Sequence, residues 1–158
     1  MRQEPTQTLS KKALPAWRIQ ALLESLFVLL VPLGYGILLY FFSLPQWLLY
    51  VFIVCYFLYV VIFVFIIPPI RWRRWRFEVT ESEIDLKRGV WIEKRTLIPM
   101  TRVQHVDTEQ GPLLRRYKLA VVSISTAATT HRIPALTIED ADALRDKIAE
   151  LAAVAVDE

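Results

Sequence analysis

From Ala21 to Phe42, and again from Trp47 to Ile67, the chain is apolar on every side of a helix, and Glu24 is the one charged residue in positions 21–67. A surface helix keeps a polar face, so runs of this kind require burial in lipid or among other helices. The 22 and 21 residues reach about 33 and 31 Å as helices, enough for a hydrocarbon core of about 30 Å. Between them lies Ser43-Leu44-Pro45-Gln46, short, uncharged and stopped by a proline. Two helices joined so tightly must run antiparallel, which predicts a transmembrane hairpin over 21–67.

From Phe77 the pattern changes to short runs of β-branched and aromatic residues separated by polar turns. Strands are predicted at Arg76–Thr80, Ile84–Arg88, Val90–Ile98, Arg102–Asp107, Leu119–Thr126 and His131–Ala135. Ile84 and Leu86 alternate with Asp85 and Lys87, as a sheet with one wet face requires. Gly89 marks a tight turn, Pro99 ends a strand, and Pro112 suits the first position of a short helical turn. Thr137 with Asp140 three residues later reads as a helix cap, and Ile138, Ala141, Leu144, Ile148, Leu151 and Ala155 form one apolar stripe behind it. The pattern therefore predicts an α+β chain: a helical hairpin, then a curved antiparallel sheet or partly open barrel covered by one amphipathic C-terminal helix.

Charge sets the orientation. Residues 1–20 carry Arg2, Lys11, Lys12 and Arg18 against Glu4, and the far flank carries Arg71, Arg73, Arg74 and Arg76. The positive-inside rule then predicts a two-pass protein of the cell membrane with both termini cytoplasmic. The expected organisation is a cytoplasmic segment 1–20, the hairpin 21–67 and a cytoplasmic domain 68–158. A cleaved signal peptide is disfavoured by the length of the first run and by the lack of a small-residue cleavage site after it. The pI near 9.1 comes mostly from these flanks, because residues 68–158 hold 15 bases and 14 acids. A nucleic-acid-binding domain is not indicated. The single cysteine, Cys55, sits inside the second run, so an intrachain disulfide is excluded.

Candidate chemistry is sparse. There is no HExxH, CxxC, phosphate-cradling glycine loop or GxSxG, so no catalytic residues, cofactor or metal site are predicted. His105 and Asp107 are spaced to share a strand face, most simply as an exposed pair rather than a metal site. Arg71-Trp72-Arg73-Arg74-Trp75-Arg76 follows the second run directly, and Arg guanidiniums with interleaved indoles suit anionic headgroups. Trp17, Trp47, Trp72 and Trp75 are placed as an interfacial aromatic belt. Glu24 is an intramembrane acid near the cytoplasmic end, expected to pair with Arg18 or a later arginine. Gly34-Tyr35-Gly36 reads as small residues permitting close helix contact, with Pro32 kinking the helix. Gln104, Asp107, Gln110, Gly111, Arg115 and Arg116 form a candidate protein-docking surface.

Several segments together resemble a known family. They are Leu14-Pro15-Ala16-Trp17-Arg18-Ile19, Arg71–Val79, Ile98-Pro99 leading into Arg102-Val103-Gln104-His105-Val106-Asp107, and above all Gln110-Gly111-Pro112-Leu113-Leu114-Arg115-Arg116-Tyr117. With the order hairpin, sheet, helix, they make residues 9–152 similar to the membrane-anchored bacterial PH-like proteins, the bPH2 or YdbS-like family. That resemblance implies two near-orthogonal antiparallel sheets capped by the C-terminal helix, and it implies no catalysis. The family usually has glycine after the aromatic that closes the last stretch, and a glycine-containing turn after the next strand; here those places hold Lys118 and Ala127-Ala128. The expected function is a membrane-anchored interaction or scaffold domain in a membrane complex. Its partners would be anionic lipids and another membrane protein, a larger relative with repeated PH-like domains or a second copy. A headgroup-sensing module is the alternative, with an oligomeric transport component behind it.

Overall fold

The computed structural model describes residues 4–157, with the side chains of 156 and 157 left aside. The chain forms two compact units, one of residues 17–69 and the other joining the described residues up to Ala16 to those from Ile70 onward.

The helical unit is built on α1 (Ala13–Phe41) and α2 (Trp47–Val60). Ser10 starts α1, its Oγ accepting the Lys12 amide at 3.3 Å and its carbonyl accepting the Ala13 amide at 3.0 Å, and Pro15 sits in the first turn. The helix therefore begins inside the segment 1–20 expected to precede it. The two helices run antiparallel: the Tyr35 and Phe52 rings meet edge-on at 5.2 Å, and Arg18 lies 6.0 Å over the Phe65 ring. The Tyr35 hydroxyl donates to the Pro45 carbonyl at 2.9 Å, tying the connection down. Gly36 faces Leu49, whereas Gly34 meets nothing; of the two small residues, only Gly36 serves helix contact. Most of the apolar surface points outward, from Phe27, Tyr40 and Phe41 to Phe57 and Phe65.

The second helix does not stop at Ile67. After α2 it widens to a π-helical turn at Val61–Ile66 and continues as α3 (Ile67–Arg74) through Pro68-Pro69. Prolines at these positions lack N–H groups and crowd the carbonyls four residues earlier, and a wider turn just before them relieves that crowding.

The other unit carries the sheets. Among the described residues, β1 (Gln7–Thr8), β2 (Arg76–Val79), β3 (Glu83–Arg88) and β4 (Lys94–Pro99) pair in sequence order as one antiparallel sheet. β5 (Val103–Glu109), β6 (Leu119–Thr126) and β7 (Thr130–Thr137) form a second. A 3-10 turn, Met100–Arg102, links the two sheets, and α4 (Pro112–Arg116) links β5 to β6. The predicted strand Val90–Ile98 is shorter and later than expected, because residues 89–93 form the hairpin tip; Pro99 is the last residue of β4. β1 was not predicted at all. Its register Gln7↔Phe77 joins residues 70 positions apart, and the Lys87 ammonium reaches Glu4 at 2.7 Å beside it, holding that carboxyl below its usual range.

The core of this unit is Phe77, Val79, Ile84, Leu86, Ile98 and Met100 from the first sheet region, with Leu119, Val122, Ile124 and Ile133 from the second. α5 (Ile138–Asp157) covers it with Ala141, Leu144, Ile148 and Ala152. Ile138 is exposed, and Leu151 and Ala155 are half-buried at the edges of the stripe. Thr137 Oγ1 accepts the Asp140 amide at 3.2 Å, the predicted cap. Asp85, expected on the wet face of β3, is instead buried, its carboxylate held by a bidentate Arg95 guanidinium at 2.5–3.1 Å that replaces water.

Lys118 adopts φ +54°, one position past the residue that caps α4, Tyr117, and its amide reaches the Arg115 carbonyl at 3.1 Å. A left-handed residue at this place ends helices, and glycine adopts it without steric cost. Lys118→Gly should raise the stability of the sheet unit by about 1 kcal/mol, since an L residue bears roughly 1–2 kcal/mol in this region and glycine gives back part of that as unfolded-chain entropy. Thermal unfolding of the detergent-solubilised chain checks it; an unchanged or lower midpoint contradicts this account of the turn.

Candidate membrane-flank and docking surfaces

The basic-aromatic run is split by the fold rather than used as one surface. Arg71, Trp72, Arg73 and Arg74 lie on α3, and Arg76 opens β2. Arg71, Arg73 and Arg74 are exposed. Trp72 is half-buried, its indole N–H donating to the Leu9 and Ser10 carbonyls at 3.1 Å each. Trp75 is 3% exposed and belongs to the core of the sheet unit. This corrects its expected place in the interfacial belt: the turn from α3 into β2 points its ring inward, and the apolar ring is more stable there than in the headgroup layer. Trp17 is likewise buried, and Trp47 is the exposed tryptophan among the four.

Glu24 also departs from expectation. Its Oε1 accepts the Gln20 side-chain amide at 2.9 Å, one turn earlier on α1, while Arg18 lies against Phe65. An i, i+4 pair on one helix satisfies the carboxylate locally, without an arginine.

The docking candidates fall on one strand and the helical turn that follows it. Gln104 sits where the β5–β6 register shifts, between Val103 and His105, and its side chain is exposed. His105 and Asp107 share a face, as their spacing predicts, opposite Ser125 and Ser123 on β6. On β7, Arg132 continues the Asp107–Ser123 row and lies 3.5 Å from Glu109. Gln110 is structural: its side-chain amide donates to the Leu119 carbonyl at 2.8 Å and closes the α4 loop onto β6. Gly111 is extended, with nothing near its missing side chain, and its carbonyl accepts the Arg115 amide at 2.9 Å. Arg115 and Arg116 are exposed on α4. Gln104, Asp107, Arg115 and Arg116 thus remain available to a partner, and Gln110 and Gly111 shape the loop that presents the arginines. Among the described residues no three His, Cys, Asp or Glu side chains gather closely enough to hold a metal ion.

A second basic set was not legible in the sequence. Arg88 and Lys94 are cross-strand partners at the base of the β3–β4 tip, and Arg74 donates to the Val90 carbonyl at 2.7 Å. Burial holds the His131 imidazole below its usual pKa, and the charges of Arg88 and Lys94 push it the same way, which places β7 within their field. The signal that could have found this set is the hairpin itself, since Arg88 and Lys94 flank the tip symmetrically once the turn is taken as residues 89–93.

The two apolar helices, the four-stranded and three-stranded antiparallel sheets and the closing helix have the order of a membrane-anchored PH-like protein, and the profile of the bacterial PH domain family matches residues 25–152. The chain belongs to that family. It is 47% identical to UPF0699 transmembrane protein YdbS of Bacillus subtilis (strain 168) over 158 residues, covering all of this chain and 99% of the relative. A second relative in the same organism, UPF0699 transmembrane protein YdbT, is 23% identical over 94 residues, 56% of this chain but 19% of that protein. No solved structure matches the chain. Membership makes it a membrane protein with transmembrane helices and a bacterial PH domain, which accounts for the outward apolar surface of α1 and α2. The left-handed backbone at Lys118 is the conformation that the glycine expected there from the resemblance would supply without steric cost.

Proposed function

We propose that the chain is a membrane-anchored PH-like adaptor without catalytic activity, held in the membrane by its two-helix hairpin with both termini cytoplasmic, and that its sheet unit docks a second membrane protein. The observation that carries this reading is the edge position of β5, whose bonded neighbour in its sheet is β6, together with exposed Gln104 and Asp107 and the adjacent exposed Arg115 and Arg116. An open strand edge offers backbone pairing, and opposite charges beside it select orientation and partner. The existence in one organism of a relative matching the whole chain and of a much longer one matching 56% of it supports such a longer protein as the partner. The exposed Arg71, Arg73 and Arg74 serve the flank as contacts for anionic lipid.

Co-expression of the tagged chain with a longer relative of the YdbT type, followed by purification in mild detergent, should recover both at a fixed ratio. Asp107→Arg combined with Arg115→Glu and Arg116→Glu should reduce recovery at least tenfold while the folded chain is retained. A strictly monomeric particle, or recovery unaffected by the three charge changes, contradicts the proposal.

A further inference from the structure

The β3–β4 tip carries apolar side chains that the fold leaves uncovered. Trp91 is 85% exposed and Ile92 82%, far above the other large apolar residues of the sheet unit. The tip is built tightly: Gly89 has φ +139°, and a Cβ there would run into the Ile92 carbonyl, so a side chain at that position is excluded. Its base is cationic, with Arg88 opposite Lys94. The nearby carboxylate, Glu93, is engaged by Lys87 at 3.5 Å and so does little to offset that charge. Arg74 donates to the Val90 carbonyl at 2.7 Å and ties the tip to the C-terminal end of α3. Arg74 lies seven residues beyond Ile67, where the apolar run ends, and these residues are one helix. Seven residues of helix rise about 10 Å, a few Å more than the roughly 5–8 Å of headgroup region on one side of a bilayer, a difference that a long arginine side chain spans.

We propose that Trp91 and Ile92 dip into the headgroup layer of the same bilayer that holds the two apolar helices, with Arg74, Arg88 and Lys94 against lipid phosphates. Tryptophan and isoleucine above a cationic base match the interfacial layering of apolar, headgroup and phosphate depth. The contact gives the sheet unit a second attachment beyond its covalent link, and it does not depend on the docking proposal.

The test uses the full chain with Cys55→Ser, carrying a single environment-sensitive fluorophore on Ile92→Cys or, as reference, on exposed Glu150→Cys. Each is reconstituted at one copy per nanodisc containing phosphatidylglycerol and phosphatidylcholine, with or without shallow spin-labelled lipid. The label at 92 should emit to the blue of the label at 150 and be quenched at least threefold more by the spin-labelled lipid. Adding Arg88→Glu and Lys94→Glu, or omitting phosphatidylglycerol, should remove most of that difference. Equal quenching at the two sites overturns the proposal, as does a blue-shifted label at 92 that the spin-labelled lipid leaves untouched, the signature of a protein covering the tip. Quenching that survives charge reversal overturns the phosphate contacts.

Discussion

Trp75→Ala should lower the stability of the sheet unit by about 3–5 kcal/mol, the usual cost of emptying a large aromatic site in a packed core. The ring is buried at the junction of α3 and β2, and its backbone amide closes the last turn of α3 on the Arg71 carbonyl at 3.1 Å. Removing the side chain leaves a cavity in the core of the sheet unit, to which Phe77 also belongs. Domains are stable by only about 5–15 kcal/mol, so the loss takes a large part of the total. Hydrogen exchange of the full chain in detergent reads it directly: amides of β3 and β6 should lose protection by about two to four orders of magnitude. Trp47→Ala, at an exposed position of the helical unit, should leave those amides unchanged. If Trp75 instead served as an interfacial anchor, both variants would leave the sheet amides protected, and that result would falsify its assignment to the core.

A cysteine placed at Ser43 should react with an impermeant thiol reagent in intact cells, and one at Glu150 only after lysis. Both are made with Cys55→Ser so that the native thiol does not report. The expectation rests on Arg71, Arg73, Arg74 and Arg76, all within nine residues of the end of the second apolar run at Ile67, against an uncharged Ser43–Gln46 connection. The opposite orientation would carry four arginines and a sheet unit rich in both charges across the bilayer. The contrast expected is near all-or-none, with reaction at 43 essentially complete while 150 stays unlabelled. Reaction at 150 in intact cells reverses the orientation and with it the cytoplasmic placement of both the docking surface and the β3–β4 tip.

Whatever depends on neighbours along the chain is legible in the sequence alone. The two apolar runs, the proline-stopped connection, the alternation Ile84-Asp85-Leu86-Lys87 and the stripe through Ala141, Leu144 and Ile148 are local periodicities, and the structure places them as helices, strand and capping helix. His105 and Asp107 share a face because a strand repeats every two residues. The tertiary structure decided every question that turns on distant partners. Trp72 and Trp75 look alike in the run Arg71–Arg76, yet one donates to carbonyls more than 60 residues away and the other enters a core. Gln7-Thr8 has no strand pattern of its own and becomes β1 because the edge of β2 offers it hydrogen bonds. Gln110, a docking candidate by its place in the sequence, is a loop clasp, since only the fold brings the Leu119 carbonyl to it. Arg74, Arg88 and Lys94 become one basic set around Trp91 and Ile92 through a hairpin whose turn the pattern had placed too early. Hydrophobic periodicity says which residues must leave water; it does not say which surface receives them, because that surface is assembled from chain segments far apart in sequence.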